Sequence, residues 1–434
     1  MQTKKALHRL FMVLSALGFV SLAVPCQATD QEKTLYNFDC PSHICGFDSA
    51  QAGVIFDKAG NLYGTYVFGG TSGSKCLGTG CGYVFELTPN PDGSWTETTL
   101  YNFCSALNCA DGASPYSGLT LDNSGNLYGT TLSGGSSATC GSAGCGTVFK
   151  LTHNADGTWT EAVLYSFTGG ADGVEPVTKP LFDLKGNLYG TTQSGGSFGH
   201  GTVFELIPDG AKWKETILHT FNGTDWKDGI APVGLAFDQA GNLYGTTILG
   251  GKYAGCPYGN DPDLHCGTVY RLAPDGDGTW KESILLNFNV TNGELPYSGV
   301  VLDASGNLYG VTPGGGKFGW GVVFQIVHGT WKVNHLLDFS LNNGAKPYAP
   351  LTFDAAGNLF GTTLGGGASN TGVAFELSPG TKGWTETVLY NFSGDAGSAA
   401  KYPNSVLTFD ASGNIYGVAA GGGTNHSGAV FAIF

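Results

Sequence analysis

Apolar and polar residues alternate along most of the chain in strand-length runs, each cut off by a turn rich in Gly, Asn and Asp. From Leu119, LTLD alternates and stops at Asn123-Ser124-Gly125-Asn126, and LYGTTL then runs out at Gly134-Gly135. GTVFKL resumes the alternation, HNADG interrupts it, and WTEAVLYSF forms a longer fourth run. Val, Thr, Phe, Tyr and Trp dominate these runs, as suits half-buried strands. The unit predicts a four-stranded antiparallel sheet, whose strands are called a to d in chain order.

The unit repeats. The core G-N-[LI]-[YF]-G recurs with its first glycine at Gly60, Gly125, Gly186, Gly241, Gly306, Gly357 and Gly413, in steps of 65, 61, 55, 65, 51 and 56 residues. A period of this size marks a propeller or another repeat array. A feature present in every unit serves the fold first, so these glycines turn the chain and do not cradle a phosphate. An aspartate stands three positions earlier in each copy, Asp57 through Asp410, placed to accept backbone N–H bonds of the turn. Trp95, Trp159, Trp213, Trp280, Trp331 and Trp384 open the d strands and offer large area for packing between sheets. Glu97, Glu161, Glu215, Glu282 and Glu386 follow those tryptophans by two and are expected on the outer edge.

The two ends of the chain decide the architecture. The d-strand ending LYNF and its variants begin at Leu35, Leu100, Leu164, Leu218, Leu285, Leu336 and Leu389. The first copy precedes the first unit, whereas the last unit stops after AVFAIF with no d strand. Residues 33–38 can therefore complete the last sheet and close a ring without a free edge. The expectation is an all-β, seven-bladed β-propeller of four-stranded antiparallel blades over residues 29–434. Its units start near 52, 117, 178, 233, 298, 349 and 405.

Composition adds a compartment. Residues 1–28 read as a secretory signal, with Lys4, Lys5 and Arg9 ahead of an apolar run and Cys26-Gln27-Ala28 at its end. The rest of the chain holds 17 basic and 34 acidic residues, which argues against nucleic acid and anionic membranes as partners. No other run is long enough to span a bilayer. Ten cysteines follow the signal in neighbouring pairs: Cys40/Cys45, Cys76/Cys81, Cys104/Cys109, Cys140/Cys145 and Cys256/Cys266. In an exported chain these read as local disulfides, with zinc binding by the C-x4-C pairs as the alternative. A secreted protein, extracellular or periplasmic and monomeric, is expected.

With the units laid out, the chain resembles the secreted bacterial proteins built from the choice-of-anchor tandem repeat called GloVer, on GNLYGTT, then Gly-Gly, then G-T-V-F-[EK]-L. The layout also resembles a kelch blade, as in LFGTTLGGG followed by GVAFELSPGTKGW. The resemblance covers residues 33–434 and implies location and repeat architecture; it implies no activity. Since the chain reaches Phe434 inside a strand, release is expected in place of a sorting anchor.

Function is sought where the units differ. Alternating strands send the b-to-c and d-to-a loops to one face, which gathers every cysteine pair and nearly all the length variation. On it, His200 and Trp320 precede strand c in units three and five, and His426 lies in the loop of unit seven. The long loop of unit four adds Tyr258, Asp261 and His265. Tyr116, Tyr297 and Tyr348 of P-Y pairs, and Asp111, Asp172 and Asp228 of D-G pairs, come from d-to-a loops, with a turn or packing role as the simpler reading. Trp320 is the leading candidate because the repeat gives it no packing duty. Aromatic planes beside carboxylates suit stacking on sugar rings. No H-E-x-x-H pair, EF-hand loop or phosphate loop occurs, and no cofactor or metal is expected. The reading is a binding or interaction propeller for a polysaccharide or cell-surface partner. The alternative is a carbohydrate-active hydrolase or lyase using carboxylates of the variable face.

Overall fold

A computed structural model describes residues 31–39, 52–71, 76, 80–210, 212–256, 264–393 and 399–434. They form seven antiparallel sheets, each built from strands consecutive in the chain except the one that joins the two ends. The second blade runs Thr120–Leu121, Leu127–Thr131, Thr147–His153 and Trp159–Ser166; the fourth runs Ile230–Phe237, Leu243–Leu249, Thr268–Pro274 and Trp280–Asn287. In the third and seventh sheets strand a is split in two, which raises their count to five.

The ring closes through the N-terminal strand. Glu32–Asn37 pairs antiparallel with Ala429–Ile433, from Glu32 opposite Ile433 to Asn37 opposite Ala429. It reproduces even the bulge of an ordinary d strand: register slips between Thr34 and Tyr36 here, and between Val84 and Phe85 in the first blade. A sevenfold aromatic contact confirms closure. The phenylalanine ending each d strand meets the strand-c aromatic of the next blade edge-on, from Phe103–Phe149 at 4.9 Å to Phe38–Phe85 at 5.5 Å. The Phe38 contact joins blade seven to blade one.

Local chemistry accounts for the repeat. Each hairpin aspartate accepts the turn's N–H groups: Asp183 Oδ1 takes those of Lys185 at 2.8 Å and Asn187 at 2.9 Å. Its Oδ2 takes the Asn187 amide at 3.0 Å. Burial raises the pKa of the equivalent Asp122, but the bonds from Asn126, Ser124 and Tyr128 outweigh it and hold the carboxyl below its ordinary value. The first glycine, Gly186, sits at φ 88° in open space, as a turn requires. The second is needed for space: a Cβ on Gly190 would lie 2.5 Å from Phe204 Cζ. The strand-d tryptophans pack across seams on the repeat's tyrosine, as Trp384 does on Tyr309 at 5.8 Å.

The glutamates behind those tryptophans depart from expectation. Glu161, Glu215, Glu282 and Glu386 do not decorate the outer edge; they turn into the seams as half-buried carboxyls and meet the D-G aspartates or their substitutes. Strand d is outermost, so a side chain beside its neighbour's loop gains cover that an edge strand in isolation would lack.

Candidate functional site

Among the described residues the b-to-c loops and the d-to-a loops meet at six seams through one recurring bond. The residue before the loop proline, left-handed at φ 55–61° in Ser114, Glu175, Ala231, Leu295, Lys346 and Tyr402, donates its N–H to a carbonyl of the preceding blade. The acceptors are Cys81, Cys145, His200, Cys266, Trp320 and Thr371, at 2.8–3.1 Å. His200 and Trp320 thus occupy the position that the second half-cystine holds in blades one, two and four. The imidazole and indole fill space that a disulfide fills elsewhere. Trp320 is half-buried and packs against the cluster containing Tyr309, Val311 and Phe339, which corrects the expectation that it has no packing duty. His200 lies so close to Gly223 that a Cβ there would sit 2.7 Å from its Cδ2.

His426 is exposed in a left-handed turn, its N–H donated to Gly423 at 3.2 Å. Among the described residues no contact joins His200, Trp320 and His426 to one another. Tyr258 and Asp261 lie outside the described residues, as do Cys40 and Cys45. The other four cysteine pairs are bonded as expected: Cys76–Cys81, Cys104–Cys109, Cys140–Cys145 and Cys256–Cys266.

The third candidate histidine, His265, does find a partner. Its ring stacks on Trp226 with centroids 4.9 Å apart and planes 10° from parallel, while its Nδ1 bonds the Gly251 carbonyl. Trp226 comes from the d-to-a loop between blades three and four, so the stack bridges the seam. Both rings are half-buried and keep surface open to solvent. Trp226 escaped the sequence reading although the argument made for Trp320 applies to it: it too is a tryptophan that opens no d strand.

The loop that carries Trp226 also lines a shallow concavity of about 360 Å³, formed by Asn222, Asp225, Lys227 and Asp228 with Glu282 and Ile284. Lys227 Nζ and Asp225 Oδ2 form an exposed ion pair at 2.9 Å. At its wall His219 Nε2 stands 3.3 Å from Asp228 Oδ1 and 3.8 Å from Glu282 Oε1. Asp228 Oδ2 also accepts the Asn222 N–H at 2.6 Å. Burial, then the hydrogen bond and charge of Asp228, push the Glu282 carboxyl up to about 10. Burial acts upward on Asp228 as well, but bonds from His219, Glu282 and Asn222 bring it down to about 2. The two carboxyls therefore share one proton.

The neighbouring seams show what is particular here. At the seam of blades two and three, Tyr165 bridges Asp172 and Glu215, its hydroxyl 3.1 Å from each. At the first seam Tyr101 donates to Asp111 at 2.8 Å, with Glu161 alongside. His219 takes the tyrosine's place: LHTF stands where the repeat has LYNF. That substitution was visible in the sequence. What it faces was not, since Asp228 and Glu282 belong to a later loop and the next blade.

The model of the Gloeobacter/Verrucomicrobia repeat matches residues 25–256 and 215–431. The chain belongs to this family. No curated protein matches the family member described here. Among solved structures, the repeat protein is similar to the extracellular domain of what is described as a hybrid two-component system from B. thetaiotaomicron. That match has 12% identity and a TM-score of 0.54, and covers 92% of this chain and 39% of that one. It is also similar to PorZ, a bacterial surface component of the type-IX secretion system of Porphyromonas gingivalis, with 15% identity, a TM-score of 0.52, and coverage of 92% and 47%. The chain thus spans less than half the length of either structure, and at these identities the likeness is one of fold. No helix among the described residues is long and apolar enough to cross a membrane.

Proposed function

We propose that the protein is an exported binding propeller that takes a polysaccharide or surface glycan on its loop face, with the seam of blades three and four as the contact. The observation that carries this reading is the Trp226–His265 stack, half-buried, with Trp226 in the same loop as Asp225, Lys227 and Asp228 of a carboxylate-lined hollow. A flat aromatic surface accepts the apolar face of a sugar ring, and nearby carboxylates and amides accept or donate to its hydroxyls. Four local disulfides support an oxidising compartment, in keeping with a signal over residues 1–28. The extracellular and surface placement of the two structures of like fold supports the same location.

The hydrolase or lyase reading has less support. A glycosidase keeps its two carboxyls ~5 to 10 Å apart so that a sugar or water fits between them. Asp228 and Glu282 instead share a hydrogen bond, which leaves no such room. Titrating soluble polysaccharides into the oxidised protein while following tryptophan fluorescence tests the binding reading. A saturable change that Trp226→Ala abolishes is expected; a change untouched by that substitution would move the contact elsewhere.

A further inference from the structure

We propose that His219, Asp228 and Glu282 form a binding site for a divalent transition-metal ion, with Zn²⁺ the ion they suit best. This goes beyond the glycan reading and does not rest on it. Three donor atoms, one from each residue, lie within 4.8 Å of one another. With Zn–N and Zn–O bonds of ~2.0 to 2.1 Å, a tetrahedral ion needs ligand atoms ~3.3 Å apart. The separations from His219 Nε2, 3.3 Å to Asp228 Oδ1 and 3.8 Å to Glu282 Oε1, need a shift of only a few tenths of an ångström.

The repeat supplies the control. At the seam of blades two and three the tyrosine hydroxyl reaches one oxygen of each carboxyl at 3.1 Å. In the His219 seam the distances are longer, and Glu282 Oε1, buried without a hydrogen-bond partner as Glu161 Oε1 and Glu215 Oε1 are in the sister seams, here faces an imidazole nitrogen. A residue chosen only to bridge two carboxyls would do so better as tyrosine. Imidazole with two carboxylates is instead a borderline donor set that favours zinc over calcium or magnesium, which prefer oxygen alone. The ion would displace the proton that the two carboxyls share, and the two carboxylates then balance its charge. Three protein ligands leave a fourth position on the side of the hollow, where water or a ligand group could complete the shell. Lys227 does not compete for the carboxylates of the trio, because its ammonium pairs with Asp225.

The test is calorimetric titration of ZnCl₂ into the oxidised, chelator-stripped, signal-free protein, beside His219→Tyr and Glu282→Gln. His219→Tyr installs the residue that the sister seams carry, and so should fold. One equivalent of zinc bound by the wild type, weakened at least ~10-fold in either folded variant, is expected. Co²⁺ in place of zinc should give the visible absorption of a tetrahedral site, a readout that needs no variant. Absence of zinc binding by the wild type, or binding undiminished in both variants, would overturn the assignment.

Discussion

Replacing Asp111 with asparagine should make the protein more stable at mildly alkaline pH, although it removes a buried carboxylate that holds its own loop. At the first seam Asp111 Oδ2 accepts from Tyr101 and from the Ser105 N–H, both at 2.8 Å, while its Oδ1 is buried without a partner. Burial, and after it the charge of Asp111, raises Glu161 from 4.5 to about 7. Because the folded state holds this proton more tightly than the unfolded state, stability is greatest below about pH 4.5 and declines as pH rises through 7. At ~1.4 kcal/mol per pH unit the full cost is ~3 kcal/mol, which partial solvent screening reduces to ~1 to 2 kcal/mol. The molecule contains the remedy. At the seam of blades five and six Asn343 stands in the aspartate's place, its Oδ1 accepting the Ser340 N–H at 2.7 Å and its Nδ2 donating to Glu386 at 2.7 Å. Asp111→Asn copies that arrangement, so Glu161 can ionise against a donor. Urea denaturation at about pH 5 and about pH 8 should show a shallower pH dependence for the variant and a gain of ~1 to 2 kcal/mol at the higher pH. A variant that is no more stable than wild type at the higher pH, or that keeps the wild-type slope, would refute this account of Glu161 at the seam.

Other outcomes follow from the same geometry. Gly190→Ala drives a Cβ to 2.5 Å from Phe204 Cζ in a closed core, and thermal melting should register a loss of ~1 to 3 kcal/mol. Replacing both Cys256 and Cys266 by alanine opens a bridge of sequence separation 10; it should cost ~2 to 3 kcal/mol and loosen the loop that carries His265, read as faster hydrogen exchange there. Removing the strand Glu32–Asn37 bares the edge of Ala429–Ile433. Light scattering should then show association through that edge, and a monomer of unchanged stability would contradict ring closure.

The ring was legible in the sequence because its cause is local and repeated. Alternation fixed strands, Asp183-x-x-Gly186 fixed a hairpin, and the displaced LYNF at Leu35 fixed closure. The seams were less legible, because they join residues from different blades. Asp172 reads correctly as a turn residue, bonding the Thr168 N–H at 2.7 Å. That Glu215 approaches it from the next blade follows only from how far strand d leans under the loop. Trp320 misled for the same reason: its space is the one a half-cystine fills in other blades, a correspondence that appears once the shared carbonyl bond is seen. Trp226 and His219 carried signals, an extra loop tryptophan and a histidine in the tyrosine position, but no single unit shows that they border the same seam.

The measurement that bears most directly on the functional account is a glycan-array screen of the oxidised, signal-free protein beside Trp226→Ala and Trp320→Ala. The account predicts selective binding by the wild type, lost in Trp226→Ala and kept in a folded Trp320→Ala. Binding that survives Trp226→Ala, or none by the wild type, would contradict a glycan site at the seam of blades three and four.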